Sequence, residues 1–195
     1  MAVTGHYEDA AWRAGRENRG GRETREPPGA FGCLQGGVAR AATTMKNTAK
    51  ISRKEMIRLL NQDLAREFQA VIAYVVYSQT MKGAKFQAIA SELKKHASEE
   101  LDHALQIAKQ IDYFNGTPVT VAKPVKLSDK AEDMLRFDLQ NEVDTIKAYR
   151  ERIRQADAMG EFGLSEVLRK IIAQEQEHMT DLADALGIDN PKMGG

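Results

Sequence analysis

The residues of this 195-residue chain that could do chemistry occur in two identical sets, 75 positions apart. Each set has a glutamate that is followed, 33 residues later, by the pattern Glu-x-x-His. The two sets are Glu67, Glu100 and His103, and then Glu142, Glu175 and His178. On a helix, Glu-x-x-His places a carboxylate and an imidazole on one face, one turn apart. Four carboxylates balance the charge of two divalent cations, and oxygen donors with one nitrogen per metal suit iron or manganese.

These ionisable residues lie within the apolar faces of helical segments. The apolar neighbours of Glu67 at helical spacing are Leu60, Leu64, Val71 and Val75. An isolated buried carboxylate costs several kcal/mol or shifts its pKa upward, so a compensating charge is required. No lysine or arginine shares these apolar faces. The pattern therefore favours bound metal ions over the alternative, a structural bundle with buried salt bridges.

Four long segments without proline show helical periodicity. They run from the capping-box pattern Ser52–Glu55 to about Lys82, from about Lys85 to Phe114, from Ser128 to about Met159, and from about Leu164 to Leu186 before Gly187. Short glycine turns join the first to the second and the third to the fourth, which predicts two antiparallel hairpins. The linker 116–126 can reach about 35 Å, most of the length of a long helix. We therefore expect an all-α four-helix bundle with one long crossover between the second and third helices.

Residues 45 to about 187 resemble the ferritin-like superfamily, and most closely bacterioferritins. The resemblance rests on LNQDLAREFQAVIAY in the first segment, ELDH ending at His103, DLQNE ending at Glu142, and EQEH ending at His178. It implies a di-iron ferroxidase centre within one chain that oxidises Fe(II) with O₂ or H₂O₂ for iron storage or detoxification.

The resemblance also implies a role for each residue. Glu67 and Glu142 are then terminal ligands, Glu100 and Glu175 bridge two iron ions, and His103 and His178 each give one nitrogen. Tyr74 is the aromatic residue beside the centre that takes part in the reaction, and manganese or zinc are the expected substitutes for iron. Leu101 stands where bacterioferritins carry a haem-ligating methionine, so we expect no haem. The short sequence after Gly187 places the usual large shell in question.

Composition separates the two terminal segments from the helical part of the chain and excludes several classes of protein. Residues 1–44, with six arginines and five acids, are predicted to be a disordered arm, and we hypothesise that it is absent from the native protein. Residues 188–195 are expected to be a flexible tail. Cys33 has no partner for a disulfide, the longest uncharged apolar-rich run, 68–81, has 14 residues, and the net charge is zero. These features predict a cytoplasmic protein that binds neither membrane nor nucleic acid. The resemblance implies a homo-oligomer with Fe(II) and O₂ or H₂O₂ as substrates.

Two other functions remain open. One is a di-metal oxidase, a peroxidase or a manganese catalase-like enzyme that does not store iron. The other is a DNA-associating mini-ferritin that uses the arginine-containing arm as a tether. Three further residues have both a structural and a functional interpretation: His96 as an iron-access ligand, Asp138 as the group that orients a ligand histidine, and Tyr149 as a second tyrosine of the centre.

Overall fold

The structure, a computed structural model that describes residues 50–194, consists of four long helices and their connections. The helices are α1 (Arg53–Thr80), α2 (Gln87–Tyr113), α3 (Ala131–Met159) and α4 (Phe162–Leu186). A short 3₁₀ helix, Ala84–Phe86, precedes α2. The predicted all-α four-helix bundle is confirmed, whereas the predicted arm, 1–44, lies outside the described residues.

The start of α1 uses half of the predicted capping box. The backbone N–H of Glu55 donates to the hydroxyl of Ser52 over 3.1 Å, as the pattern requires. The carboxylate of Glu55 pairs with Arg58 instead of turning back to Ser52. One of the free backbone donors at this end is therefore satisfied by a side chain.

The predicted cap of α3 lies just outside the helix. Ser128 accepts a hydrogen bond from the backbone N–H of Lys130 over 3.1 Å and donates one to Asp133 over 2.9 Å. It holds the turn that leads into α3, which begins at Ala131. At the other ends, α3 and α4 stop at Gly160 and Gly187, whose φ angles of 79° and 66° are left-handed.

The helices form two antiparallel hairpins, α1 with α2 and α3 with α4, which meet through α1–α3 and α2–α4 contacts. The crossover, residues 114–130, runs along α1. Near its start the backbone N–H of Val119 donates to the side chain of Asn61 over 2.6 Å, and near its end the carbonyl of Lys126 accepts from the hydroxyl of Tyr77. The long linker therefore carries the chain back along the first hairpin before α3 begins.

The apolar core consists of two clusters at opposite ends of the bundle. One contains Tyr74, Tyr77, Leu93, Leu135, Ile146 and Leu182, among others. The other contains Met56, Leu60, Leu64, Ile107, Tyr149 and Leu168, among others. On α1, α2 and α4 the predicted ligands lie between the two clusters in sequence position, whereas on α3 Glu142 lies among residues of the first cluster, between Leu139 and Val143. Burial of the apolar side chains in these two clusters thus holds the four helices in register at the level of the predicted ligands.

One predicted core position is wrong. The side chain of Val75 is 50 % exposed, because the buried face of α1 at this height is made by Tyr74 and Tyr77. In the tail, the backbone carbonyl of Met193 accepts a hydrogen bond from Arg150 over 3.3 Å, and Met193 packs against the core. Within 50–194, no helix combines the length and the apolar character needed to cross a membrane.

Candidate metal centre

The structure brings all six predicted ligands together, one or two from each helix, and each is at most 3 % exposed. They form two groups whose ligand atoms lie within 4.8 Å of one another. The first group is Glu67, Glu100, His103 and Glu175, and the second is Glu100, Glu142, Glu175 and His178. Glu100 and Glu175 belong to both groups. Two neighbouring positions, each with its own glutamate and histidine, therefore share two carboxylates.

Each shared carboxylate presents one oxygen to each histidine. The Oε2 of Glu100 lies 3.2 Å from Nδ1 of His103, and its Oε1 lies 3.0 Å from Nδ1 of His178. The Oε1 and Oε2 of Glu175 lie 3.3 Å from the same two nitrogen atoms, respectively. This is the arrangement in which a carboxylate spans two cations.

The outward nitrogen of each histidine is held by a side chain from the opposite hairpin. Nε2 of His103 lies 3.0 Å from Oε1 of Gln174, and Nε2 of His178 lies 2.9 Å from Oε2 of Glu99. When Nε2–H donates to these oxygens, Nδ1 is left facing the carboxylates. Such hydrogen bonds fix the ring orientation and the tautomer of a metal-binding histidine.

The outer glutamates are each bound by a buried tyrosine. The hydroxyl of Tyr74 donates to Glu142, and the hydroxyl of Tyr149 donates to Glu67. Tyr149 therefore occupies the same position in the second hairpin that Tyr74 occupies in the first. These bonds, like those to the histidines, cross from one hairpin to the other.

Sequence reasoning missed the role of Glu99 and Gln174, although the signal was present. The two residues are related by the same offset of 75 positions as the ligands, and both offer an acceptor oxygen. Their different residue types hid the match. The proposed orienting role of Asp138 is not what the geometry supports, since its Oδ2 is buried without a hydrogen-bond partner and the histidines bond to Gln174 and Glu99 instead.

Both ligand histidines hold a proton strongly when no cation is present. Burial disfavours their charged form, but hydrogen bonds and ion pairs with Glu100 and Glu175 outweigh burial. The pKa of His103 is raised well above its usual range, and that of His178 is raised to about 11. Two imidazolium groups thus stand among the carboxylates and supply positive charge.

The pKa values of the carboxylates shift in opposite directions. Burial, followed by the charges of Glu175 and Glu100, raises the pKa of Glu67 and Glu142 well above the usual value. Burial acts in the same direction on Glu100, but its hydrogen bonds from His103 and His178 outweigh burial and lower its pKa. In the metal-free chain, Glu67 and Glu142 therefore hold a proton more strongly than an ordinary glutamate, and Glu100 holds one less strongly.

The donor set fits divalent cations. Oε2 of Glu67 and both oxygens of Glu175 are buried; they face imidazole Nδ1 atoms at 3.3–3.5 Å but form no well-aligned hydrogen bond. Within the described residues, none of the four glutamates forms an ion pair with lysine or arginine. The buried Arg152 instead bonds to Asp63 over 2.8 Å. Buried, unsatisfied oxygen atoms beside two imidazoles are the ligands that iron and manganese prefer.

A small pocket leads to the carboxylates from the α1–α3 side of the bundle. Besides Glu67, Glu100, Glu142 and Glu175, its walls include Arg66, Gln69, Asn141 and Thr145. Polar side chains thus line a pocket beside the donor oxygens on this side of the bundle.

A sequence model of the Ferritin-like domain matches residues 57–190, which is more than half of the chain. The chain belongs to the ferritin-like family. Among curated relatives of this ferritin-like chain, the bacterioferritin of Brucella melitensis is 24 % identical over 135 residues, covering 69 % of this chain and 84 % of the relative. The bacterioferritin of Rhodobacter capsulatus is 25 % identical over 145 residues, covering 74 % and 87 %. The predicted resemblance, including its closeness to bacterioferritins, is confirmed.

Solved structures agree with this assignment. A ferritin-like, diiron-carboxylate protein from Bacillus anthracis is 36 % identical with a TM-score of 0.67, covering 70 % of this chain and 99 % of that one. A dodecameric thioferritin, the bacterioferritin-related protein of Bacteroides fragilis, is 26 % identical with a TM-score of 0.65, covering 71 % and 88 %. Family membership and the donor set together support an iron-binding function of the ferritin-like type.

Proposed function

We propose that the six ligands bind two iron ions and that the chain oxidises Fe(II) at this centre for iron storage or detoxification. The observation that carries the proposal is the pair of shared carboxylates, Glu100 and Glu175, each with one oxygen toward each histidine. Two ions held by such carboxylates lie about 3.5–4 Å apart. The relatives named above as bacterioferritins and as diiron-carboxylate proteins support iron as the metal.

In this proposal each residue has a defined task. Glu67 with His103 completes one metal position around the shared carboxylates, and Glu142 with His178 completes the other. When bound, the two Fe(II) ions supply one electron each, which together reduce O₂ to H₂O₂ or H₂O₂ to water. The protein holds both ions and the oxidant in one geometry, and the apolar clusters on both sides restrict water.

Tyr74 acts in this scheme as a hydrogen-bond donor. Burial, followed by the charge of Glu142, raises the pKa of its hydroxyl well above the usual value, so the proton is retained at neutral pH. The donated bond fixes one oxygen of Glu142, and Tyr149 does the same for Glu67. We therefore assign both tyrosines the task of positioning the outer glutamates beside the iron ions.

We expect metal binding to release protons, because the cations replace those on His103 and His178 and compete with those on Glu67 and Glu142. Displacement of the imidazolium protons alone corresponds to about one proton per cation at neutral pH. The raised pKa values of these groups mean that protons compete more strongly as the pH falls, so the affinity for Mn(II) or Zn(II) rises with pH between 6 and 8. Calorimetric titration in two buffers with different ionisation enthalpies measures the released protons. A pH-independent affinity without proton release contradicts the proposed ligand set.

Anaerobic protein mixed with Fe(II) and then with O₂ tests the function itself. We expect rapid oxidation of about two Fe(II) per chain, followed by slower turnover in which ferric iron accumulates beyond that amount. Protein preloaded with Zn(II), which occupies similar donors without redox chemistry, is the control and should show only the buffer rate. Turnover of H₂O₂ by metal that stays bound, with no accumulation of iron, indicates the di-metal oxidase or catalase-like alternative instead.

We also propose that the protein works as a homo-oligomer in the cytoplasm. The related protein of Bacteroides fragilis is a dodecamer, and this chain exposes apolar side chains on α1 and α2 that a second copy can cover. They are Ile72, Val75, Leu101 and Leu105. Leu101 has no atom that ligates iron, and we propose that the chain works without haem. All six ligands come from one chain, which favours this proposal over a mini-ferritin whose centre lies between subunits.

A further inference from the structure

A second cluster of metal-binding side chains lies outside the six ligands, between α2 and α4. Glu92, His96 and Asp181 each offer a ligand atom within 4.8 Å of the others. Nε2 of His96 lies 3.1 Å from Oδ2 of Asp181. Because α1–α3 and α2–α4 are the two faces where the hairpins meet, this cluster and the pocket described above lie on opposite sides of the bundle.

The imidazole of His96 is held rigidly at the inner end of the cluster. It is only 3 % exposed, and its ring stacks on His178 with 4.1 Å between the centroids and packs edge-on against Tyr74. Its Nδ1 is buried without a hydrogen-bond partner, so only Nε2 is engaged, by Asp181. A ring fixed in this way needs no rearrangement to present Nε2 to a cation.

The outer end of the cluster is accessible to solvent. The side chain of Asp181 is 44 % exposed, and Glu92 is half-buried. The ammonium group of Lys95 lies 2.9 Å from both oxygens of Glu92, on the surface of α2. An exposed ion pair of this kind is weak, so a divalent cation can displace the lysine.

The cluster is continuous with the centre. A further group with ligand atoms within 4.8 Å consists of His96, Glu99 and His178. His96 belongs both to this group and to the outer cluster, while His178 belongs both to this group and to the centre. Overlapping sets of donors thus extend from the exposed Asp181 to the buried carboxylates.

We propose that Glu92, His96 and Asp181 bind a third divalent cation, Fe(II) in the working protein, next to the two-metal centre on its α2–α4 side. Two carboxylates and one imidazole are the donors that iron, manganese and cobalt accept. The binding of this cation needs none of the six ligands; only its identity as Fe(II) rests on the function proposed above.

Anaerobic titration of the full-length chain with Co(II), followed by visible absorption and calorimetry, counts the sites. We expect three Co(II) per chain for the unaltered protein and two for Asp181→Asn, which alters an exposed side chain that the fold does not need. Glu92→Gln should also lose one. The matched control is Glu177→Gln, which removes the same charge from an exposed position on α4 and should keep all three. His96→Gln serves as a further variant once circular dichroism shows that it is folded.

The outcomes separate this inference from the proposed function. Three sites in the unaltered protein, two in Asp181→Asn and one in Glu100→Ala support both. If the unaltered protein and Asp181→Asn both bind two ions, the third site does not exist. In that case the centre is still supported if Glu100→Ala binds no ion. Loss of one ion in Asp181→Asn with no loss in Glu100→Ala supports the third site and contradicts the centre.

Discussion

The Glu100→Ala variant should lose both cations of the centre and oxidise Fe(II) at least about 100-fold more slowly than the unaltered protein. The reason is that Glu100 directs one oxygen toward each histidine, so a single substitution removes a ligand from both positions. It also lowers the number of carboxylates from four to three while the charge of two divalent cations is unchanged. The metal-free variant should still fold, because His103 and His178 can lose their protons when their shared anion is absent.

Metal analysis and the initial rate of Fe(II) oxidation measure this effect, and gel filtration with circular dichroism shows whether the fold is intact. The matched control is Asp102→Ala, which removes an exposed carboxylate two residues away on α2 and should keep metal and activity. Glu100→Gln retains the side-chain volume and distinguishes a lost ligand from a packing defect. An unchanged metal content in folded Glu100→Ala protein contradicts the proposed centre.

Replacement of Arg152 by methionine should lower the free energy of unfolding of the metal-free protein by about 3 kcal/mol. Asp63 is fully buried, and Nε of Arg152 lies 2.8 Å from its Oδ2. Without Arg152, Arg66 still pairs with the other oxygen of this carboxylate. Removal of Arg152 is costly because the buried charge of Asp63 then loses its buried partner and keeps the more exposed Arg66.

Urea unfolding followed by circular dichroism measures the change, at a fixed protein concentration so that association contributes equally. The double variant Asp63→Leu/Arg152→Met should recover most of the loss, since it removes the charge together with its partner and Arg66 can extend into solvent. The offset of 75 residues provides a natural comparison, because Tyr77 stands in the first half where Arg152 stands in the second. Equal stability of the single variant and the unaltered protein shows that the pair does not stabilise the fold.

The helices and their order followed from the sequence because the signals are local or periodic. Each of these signals lies within one segment of the chain: the apolar spacing, the glycine turns and the length of the linker. Because the pattern occurs twice, each copy supported the interpretation of the other. The same periodicity placed the six candidate ligands. Carboxylates on an apolar face need a compensating charge, and the Glu-x-x-His spacing favours metal ions as that charge. The convergence of the six ligands is seen in the structure at the predicted height between the two apolar clusters.

The features that the sequence did not reveal depend on contacts between helices. The pairing of Asp63 with Arg152 joins residues 89 positions apart, and neither residue is marked by its own segment. Val75 has the spacing of a core residue, but in the packed bundle Tyr77 is buried and Val75 is exposed. The bonds from Glu99 and Gln174 to the histidines likewise require the angle between α2 and α4, which local periodicity does not contain.

The hydrogen bonds that cross between the hairpins have a consequence for how the protein matures. Each hairpin carries three of the six ligands, but the tyrosine and the acceptor that orient them belong to the other hairpin. A newly synthesised first half therefore has no ordered place for a redox-active ion. In the proposed function, iron is therefore captured only after the two halves have docked, and folding protects the unfinished polypeptide from the redox chemistry proposed for the finished one.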